Sequence, residues 1–349
     1  MRAAVPSPAG SAVAIRGSIG FAVTAGPERK RTGRGYALPL NVSTHRGDSV
    51  HAAFAVATRC EWCGAALGGG VDRLRGRTRC ARCGAETTDP VPSDQELERA
   101  YATWYRPRTG RFAGPGDALL RRSRGHLARR LDRIAPPGPI LDVGAGDGAL
   151  LDALQARGRT AVGLERTATR ADMREGEVTD IEGGWAAIVF WHTLEHLRNA
   201  GGSLEYAAGL LDPGGLLIIA MPNPASIQAR AFGDRWLALD LPRHLVHVPA
   251  PALLDRLRSL GLRVERIGYL RGGQVVFGWL HGLVASLPGH PDLYGAIRRS
   301  PARRADLPRS RRALVLAAGG TLLPLALACA GIEAVLGRGG TTYVEARRG

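Results

Sequence analysis

The stretch PILDVGAGDGALLDALQARGRTAVGLE, Pro139 to Glu165, decides how the rest of the chain is read. An apolar run ends at Val143, and Gly144, Gly146 and Gly148 then punctuate a turn. Apolar residues at helical spacing carry a helix to about Arg157, and a second apolar run ends in Glu165. Strand, glycine turn, helix, strand and terminal acid in this order predict a parallel βαβ unit. Glycines let the backbone approach a ligand closely, the helix N terminus supplies free N–H groups, and an acid about twenty residues on can take ribose hydroxyls. The unit is expected to bind a nucleoside, and on these residues alone a nicotinamide dinucleotide is a rival occupant.

Working outward, APPGP (Ala135–Pro139) breaks an arginine-rich helix expected over about Asp117 to Ile134. Before it, SDQELERAYATWYRPRTG opens with a helix cap and carries Tyr101, Trp104 and Tyr105 at helical spacing, either a core face or a lid over a ligand pocket. Tyr105 is the lid residue expected on the substrate side.

In this context LDVGAGDG resembles motif I of the class I S-adenosylmethionine-dependent methyltransferases, with Glu165 where that family holds the ribose. Later segments match in family order. AAIVFWHTLEHL resembles the fourth strand and the start of the next helix, and AGLLDPGGLLIIAMPNPAS the proline-glycine turn and a fifth strand over Leu216 to Met221. FGDRWLALDLPRHLVHVPAPALLDRLRSLGLRVERIGYL resembles the substrate-side stretch, helix and sixth strand of methyltransferases common in bacterial polysaccharide and small-molecule clusters. The likeness runs from about Tyr101 to Leu270 and closes with GRGGTTYVEARR. It departs where Trp185, Ala186 and Ala187 replace the usual Phe-Asp pair, and a short third strand leaves the adenine-contacting acid between Glu177 and Asp180 unassigned.

The resemblance implies S-adenosylmethionine as cofactor, held by Asp142, Gly144, Gly146, Asp147, Gly148, Glu165 and Trp191. The sulfonium methyl is already activated, so the protein must mainly hold an acceptor in line and exclude water. A hydroxyl or acidic carbon also needs a base, and a neutral imidazole takes a proton near pH 7. His192 and His196 near the end of the fourth strand, and His244 in PRHLVH, are the candidates; His196 also fits a packing role. Asn223, Asp240 and Arg243 are expected on the acceptor side. His192, Glu195 and His196 also have the spacing H-x-x-E-H of a zinc-hydrolase motif, which requires a helix. Ubiquinone-type O-methyltransferases resemble this region and can carry a metal-binding E-x-x-E-H there; here His192 replaces the first acid.

Cys60, Cys63, Cys80 and Cys83 form C-x2-C-x16-C-x2-C, with Gly64 and Gly84 closing the two knuckles. Four thiolates so spaced suit one structural zinc with no open position, and two disulfides are the alternative. The formal charge of +16 is almost wholly arginine, Lys30 being the only lysine. It is spread along the chain and joined by no nucleic-acid reading motif, so nucleic acid is set aside as the main partner. The start of the chain reads as a poor signal peptide, so a cytoplasmic location is expected.

Near the C terminus, ALVLAAGGTLLPLALACAGI, Ala313 to Ile332, is free of charge and long enough to cross a bilayer as a helix, though Pro324 and Gly319-Gly320 weaken it. If TTYVEARR returns to the sheet, one crossing would leave it on the wrong side of the membrane. A hairpin, a surface element or a buried cap is then expected. IRRSPARRADLPRSRR just upstream could meet anionic headgroups on the inner face. Membrane contact would favour a lipid-linked acceptor.

The expected architecture is α/β: a Rossmann-like seven-stranded methyltransferase sheet with helices on both faces, a small N-terminal zinc ribbon and a C-terminal apolar helical insert. Its divisions are a disordered extension (1–55), zinc ribbon (56–92), helical lid or linker (93–135), core (136–272), apolar insert (273–337) and final strand (338–349). Methyl transfer to a small-molecule, sugar or lipid-linked acceptor is the leading expectation. A non-catalytic cofactor-sensing module and a metal-dependent hydrolase are the alternatives.

Overall fold

The computed structural model describes residues 56–68, 72–102, 112, 116–270, 273–298 and 307–349. The 1–55 extension and Tyr105 lie outside them. Three short strands, β1 (Asp72–Leu74), β2 (Arg77–Arg79) and β3 (Glu86–Thr88), follow the first cysteine knuckle, and α1 (Asp94–Ala102) and α2 (Gly116–Ile134) lead to the core.

The core alternates as the glycine stretch foretells: β4 (Ile140–Val143), α3 (Ala149–Gln155), β5 (Ala161–Glu165), β6 (Met173–Glu175), β7 (Trp185–Trp191), α4 (Ala200–Leu210) and β8 (Leu211–Pro222). After it come α5 (Ile227–Phe232), β9 (Val246–His247), α6 (Ala250–Ser259), β10 (Leu262–Gly268), α7 (Gln274–Ala285), α8 (Leu293–Ile297), α9 (Arg309–Val335) and β11 (Thr341–Arg348).

Seven strands form one sheet in the order β10-β11-β8-β7-β4-β5-β6. β11 is antiparallel to both its neighbours, while β8, β7, β4, β5 and β6 pair in parallel. The chain therefore leaves β4 toward one edge and resumes at β7 on its other side. The carboxyl ends of β4 and β7 define the crevice where ligands bind in open α/β sheets.

Every residue of β4 and β7 is buried, as expected of strands covered on both faces. Leu141, Val143, Ile188, Phe190, Leu217 and Ile219 face a layer containing α4 and α6. Ile140, Ala187, Val189, Leu216, Ile218 and Tyr343 face α2 and α3. Replacing the Phe-Asp pair with Trp185-Ala186-Ala187 does not delay the strand, because all three fit that buried alternation.

The last strand is fixed by charge as well as by pairing. Arg130 of α2 donates to both carboxylate oxygens of Glu345, at 3.0 and 2.7 Å, and the Tyr343 hydroxyl donates to the same carboxylate at 2.7 Å.

Two expected bounds shift. β8 begins at Leu211 rather than Leu216, because Leu211 pairs with Trp185 before an irregularity shifts the register to Ala187 opposite Leu216. FWHTLEHL does not run directly into a helix: His192 has φ 55°, Leu194–His196 make one 3-10 turn, and α4 starts only at Ala200.

Candidate active site

The glycine turn joins β4 to α3 with Gly144, Gly146 and Gly148 all at positive φ (75°, 68° and 79°). At Gly144 a side chain would strike Thr193, whose hydroxyl donates to the Val143 carbonyl at 2.8 Å and ties the ends of β4 and β7 together. Glu165, at the end of β5, accepts the Gly146 N–H at 2.5 Å.

Asp142 is buried immediately before the turn and Asp147 lies exposed within it. Arg170 reaches the Asp147 carbonyl, but its guanidinium is held by Asp152 and Asp172, which raise its pKa. With that charge matched by its own acids, Asp142, Asp147 and Glu165 set three carboxyl groups around the turn. This donor set suits a cationic sulfonium nucleoside better than a pyrophosphate. In the segment where an adenine-contacting acid is expected, the Glu177 and Asp180 carboxylates cap one 3-10 turn reciprocally, so each accepts a backbone N–H there.

Beside the turn, Glu195 is the hub to which the three candidate histidines converge. It is buried, and its carboxyl oxygen lies 3.2 Å from His192 Nδ1, where a ring N–H donates to it. In that tautomer Nε2 carries the lone pair, and among the described residues it is buried with no hydrogen-bond partner, as is the second carboxyl oxygen of Glu195. The His192 N–H donates to the Ala220 carbonyl at 2.7 Å, fixing this left-handed residue between the ends of β7 and β8.

His196 and His244 stack edge-on with ring centroids 4.6 Å apart, and one ligand atom from each lies within 4.8 Å of the others and of a Glu195 oxygen. His196 Nδ1 lies 3.0 Å from the Arg243 carbonyl and 3.1 Å from the Tyr101 hydroxyl, and His244 Nδ1 lies 2.8 Å from the Ala238 carbonyl. A carbonyl only accepts, so both rings carry hydrogen on Nδ1 and present Nε2. Burial pushes His196 down to about 3, helped by His244, and pushes His244 far below its usual range, helped by His247. Both are neutral at pH 7.

The loop that carries Asp240, Arg243 and His244 is tied down at many points. Arg243 forms a two-pronged pair with Asp240, whose carboxyl is raised by burial against the opposing pull of Arg243. The Leu245 N–H donates to the Glu195 carbonyl at 2.7 Å.

The cysteine module supplies the rest of that scaffold. Cys60 and Cys83 sulfurs are 3.7 Å apart, as are those of Cys63 and Cys80, and all four lie within 4.8 Å of one another. A disulfide would need about 2.05 Å. Tetrahedral zinc with Zn–S near 2.3 Å places sulfurs about 3.8 Å apart, so the cluster fits zinc. The Cys83 thiol lowers Cys60 to about 5, so one thiolate is ready to bind.

β3 pairs with β9, so the acceptor-side segment is the fourth strand of the ribbon sheet. Thr88 donates to the His244 carbonyl at 2.6 Å through its hydroxyl, and its N–H donates to the Leu245 carbonyl at 2.9 Å. The first knuckle caps α4, with Glu61 accepting the N–H groups of Asn199 and Gly201. Gly201 allows the fit, since a side chain there would collide with the Trp62 carbonyl.

Of the residues expected from sequence, His192, His196, His244, Asp240 and Arg243 gather around or beside Glu195. The Asn223 amide donates to the Gly339 carbonyl and its oxygen accepts the Ala225 N–H, pinning the approach to β11. The Trp191 ring is buried against Tyr343 with Arg124 over it. The hydrolase reading of H-x-x-E-H loses its structural basis, because the three residues span a left-handed residue and a 3-10 turn and do not share a helix face. Thr88 was not found from sequence; nothing in the spacing of residues 88 and 244 signals that they meet. Tyr101 was, as part of an aromatic face.

Residues 119–267 match the family model of a methyltransferase domain. Two curated relatives, both ubiquinone biosynthesis O-methyltransferases, come from Xanthomonas axonopodis pv. citri and Xanthomonas campestris pv. campestris (strain B100). They are 28% and 29% identical over 160 residues, 39% of this chain and 67% of each relative. Among solved structures, a SAM-dependent methyltransferase from Archaeoglobus fulgidus aligns over 66% of this chain and 96% of its own, at 16% identity and a TM-score of 0.38.

Proposed function

We propose that this chain, whose core belongs to the class I S-adenosylmethionine-dependent methyltransferases, methylates a hydroxyl of a small-molecule, sugar or lipid-linked acceptor in the cytoplasm. The observation that carries the reading is His192: the Glu195 carboxyl group contacts its Nδ1, and its Nε2 sits buried at the carboxyl end of β7 without a partner among the described residues. The O-methyltransferase names of the relatives favour oxygen as the acceptor atom.

Glu165 and the backbone N–H groups of the glycine turn would hold the nucleoside, with Asp142 and Asp147 favouring its positive charge. When bound, S-adenosylmethionine supplies a methyl group already activated toward an oxygen nucleophile. With the cofactor in place, His192 Nε2 would take the proton of the acceptor hydroxyl as its oxygen receives the methyl group. Glu195 positions His192 and stabilises the imidazolium. His196 and His244, neutral and buried, shape the acceptor side. The four cysteines would hold a closed structural zinc, which supplies stability rather than chemistry.

The convergence of Glu195, His196 and His244 favours a second reading for those residues, a divalent cation site beside the acceptor.

Incubating the protein with S-adenosylmethionine and fractionated bacterial small-molecule and lipid extracts tests the proposal. Formation of S-adenosylhomocysteine dependent on one fraction supports it; none with any fraction overturns it.

A further inference from the structure

Helix α9 is turned inside out relative to a helix on a water-exposed surface. Its buried residues, Val315, Gly319, Ala326, Ala330 and Glu333, follow spacings of four, seven, four and three. At 100° per residue they occupy a stripe roughly 60° wide. Apart from Val315, that inner stripe is small or polar, while most of the large residues point outward: Leu314, Leu316, Leu323, Leu325, Leu327, Ile332 and Val335 are exposed, Leu314 at 71% and Val335 at 87%. From Ala313 to Val335 the other exposed residues are Ala, Gly and Pro, plus Thr321, whose hydroxyl is returned to the Ala317 carbonyl.

The helix cannot leave this position to cross a bilayer. Glu333 is fully buried and accepts from Gln228 N–H, Gln228 Nε2 and Trp279 Nε1, each at 2.8 Å, which pins the inner stripe to α5 and α7. The chain then enters β11, between β8 and β10 of the core sheet.

Cations flank the apolar face at both ends. Arg309 and Arg311 are exposed at its start and Arg338 just past its end, and no acidic side chain of α9 faces outward. A second copy paired through this face would bring arginines together, either start against start or start against end. Anionic lipid headgroups complement both ends at once. We propose that α9 lies flat on a membrane bearing anionic lipids, its leucines in the acyl boundary and its terminal arginines among the headgroups.

This surface connects to the acceptor side. Ala326 and Ala330 of α9 share one apolar cluster with Trp279 of α7 and with Phe232, Trp236 and Leu239, which precede Asp240 and Arg243. A docked α9 would hold that loop one helix layer above the bilayer. The docking does not depend on methyl transfer, and it stands or falls on its own measurement.

Cosedimentation of the full chain with phosphatidylcholine vesicles, with and without phosphatidylglycerol, tests it beside light scattering. Binding is expected to require phosphatidylglycerol, to weaken with added salt, and to fall at least tenfold in Leu314→Glu/Leu325→Glu, whose sites are exposed and whose Tm should be unchanged. Arg309→Gln/Arg311→Gln should lower binding to phosphatidylglycerol vesicles. Absence of vesicle binding by the unaltered chain, or equal binding by the Leu→Glu variant, would overturn the proposal. So would a dimer that the Leu→Glu variant dissociates while the unaltered chain ignores vesicles, which would make the face a contact between copies.

Discussion

The hydroxyl of Thr88, in the last strand of the cysteine module, donates to the carbonyl of His244 at 2.6 Å, so the module and the acceptor-side histidine share one hydrogen bond. Removing metal should therefore be felt at the site as well as in the ribbon. In Cys63→Ser/Cys83→Ser, hydrogen exchange at residues 237–248 should rise strongly while S-adenosylmethionine affinity stays within about threefold. Thr88→Val should match the unaltered chain in metal content, lose about 1–3 kcal/mol of stability from the unpaired carbonyl, and loosen the same segment. Unchanged exchange in both variants would show that the loop is held without the ribbon.

Glu165 contacts the glycine turn through the Gly146 N–H. Glu165→Ala is expected to weaken S-adenosylmethionine binding by ten- to a hundredfold, about 1.4–2.8 kcal/mol. Calorimetry checks this, and an unchanged Kd would move the cofactor elsewhere.

His196 and His244 are buried neutral, with folded pKa values below their unfolded value, so the unfolded chain binds more protons as pH falls. Their contribution to stability is complete above about pH 6.5 and is lost on the way down, for His196 until about 3. Each costs up to about 1.4 kcal/mol per pH unit in that window. Melting curves should show Tm falling from about pH 6.5 to 5, and His196→Gln should flatten the fall. A Tm independent of pH over that range would contradict the buried neutral pair.

Metal analysis separates the two candidate sites. One zinc per chain, lost in Cys60→Ser/Cys80→Ser, is expected for the ribbon alone. A second equivalent that survives those changes and disappears in His196→Ala/His244→Ala would place a cation at Glu195, His196 and His244.

Much of this arrangement was legible in sequence because it is local. The order of β4, the glycine turn, α3 and β5 follows from apolar spacing and from Gly144, Gly146 and Gly148, and the knuckles follow from cysteine spacing. The role of Glu195 was harder to see, since the same triplet supports a helical metal motif until the positive φ of His192 breaks the helix. Asn223 stands at the end of β8 where the sequence places it, but its hydrogen bonds to Gly339 and Ala225 join distant or irregular segments that spacing does not reveal. The pairing of β3 with β9 joins residues about 160 positions apart, and no periodicity carries information over that distance. The outward leucines of α9 were equally hidden: its composition is apolar all round, and only packing shows which stripe is covered.

The central claim, that His192 serves as base for methyl transfer beside the glycine-turn cofactor site, is tested most directly with methyl-labelled S-adenosylmethionine and the responsive extract fraction. The unaltered chain should transfer label to a small molecule or lipid, and His192→Ala should transfer at least a hundredfold less, a typical loss for a general base, while binding the cofactor with unchanged affinity. Full transfer by His192→Ala, or cofactor binding by the unaltered chain with no labelled product in any fraction, would contradict it.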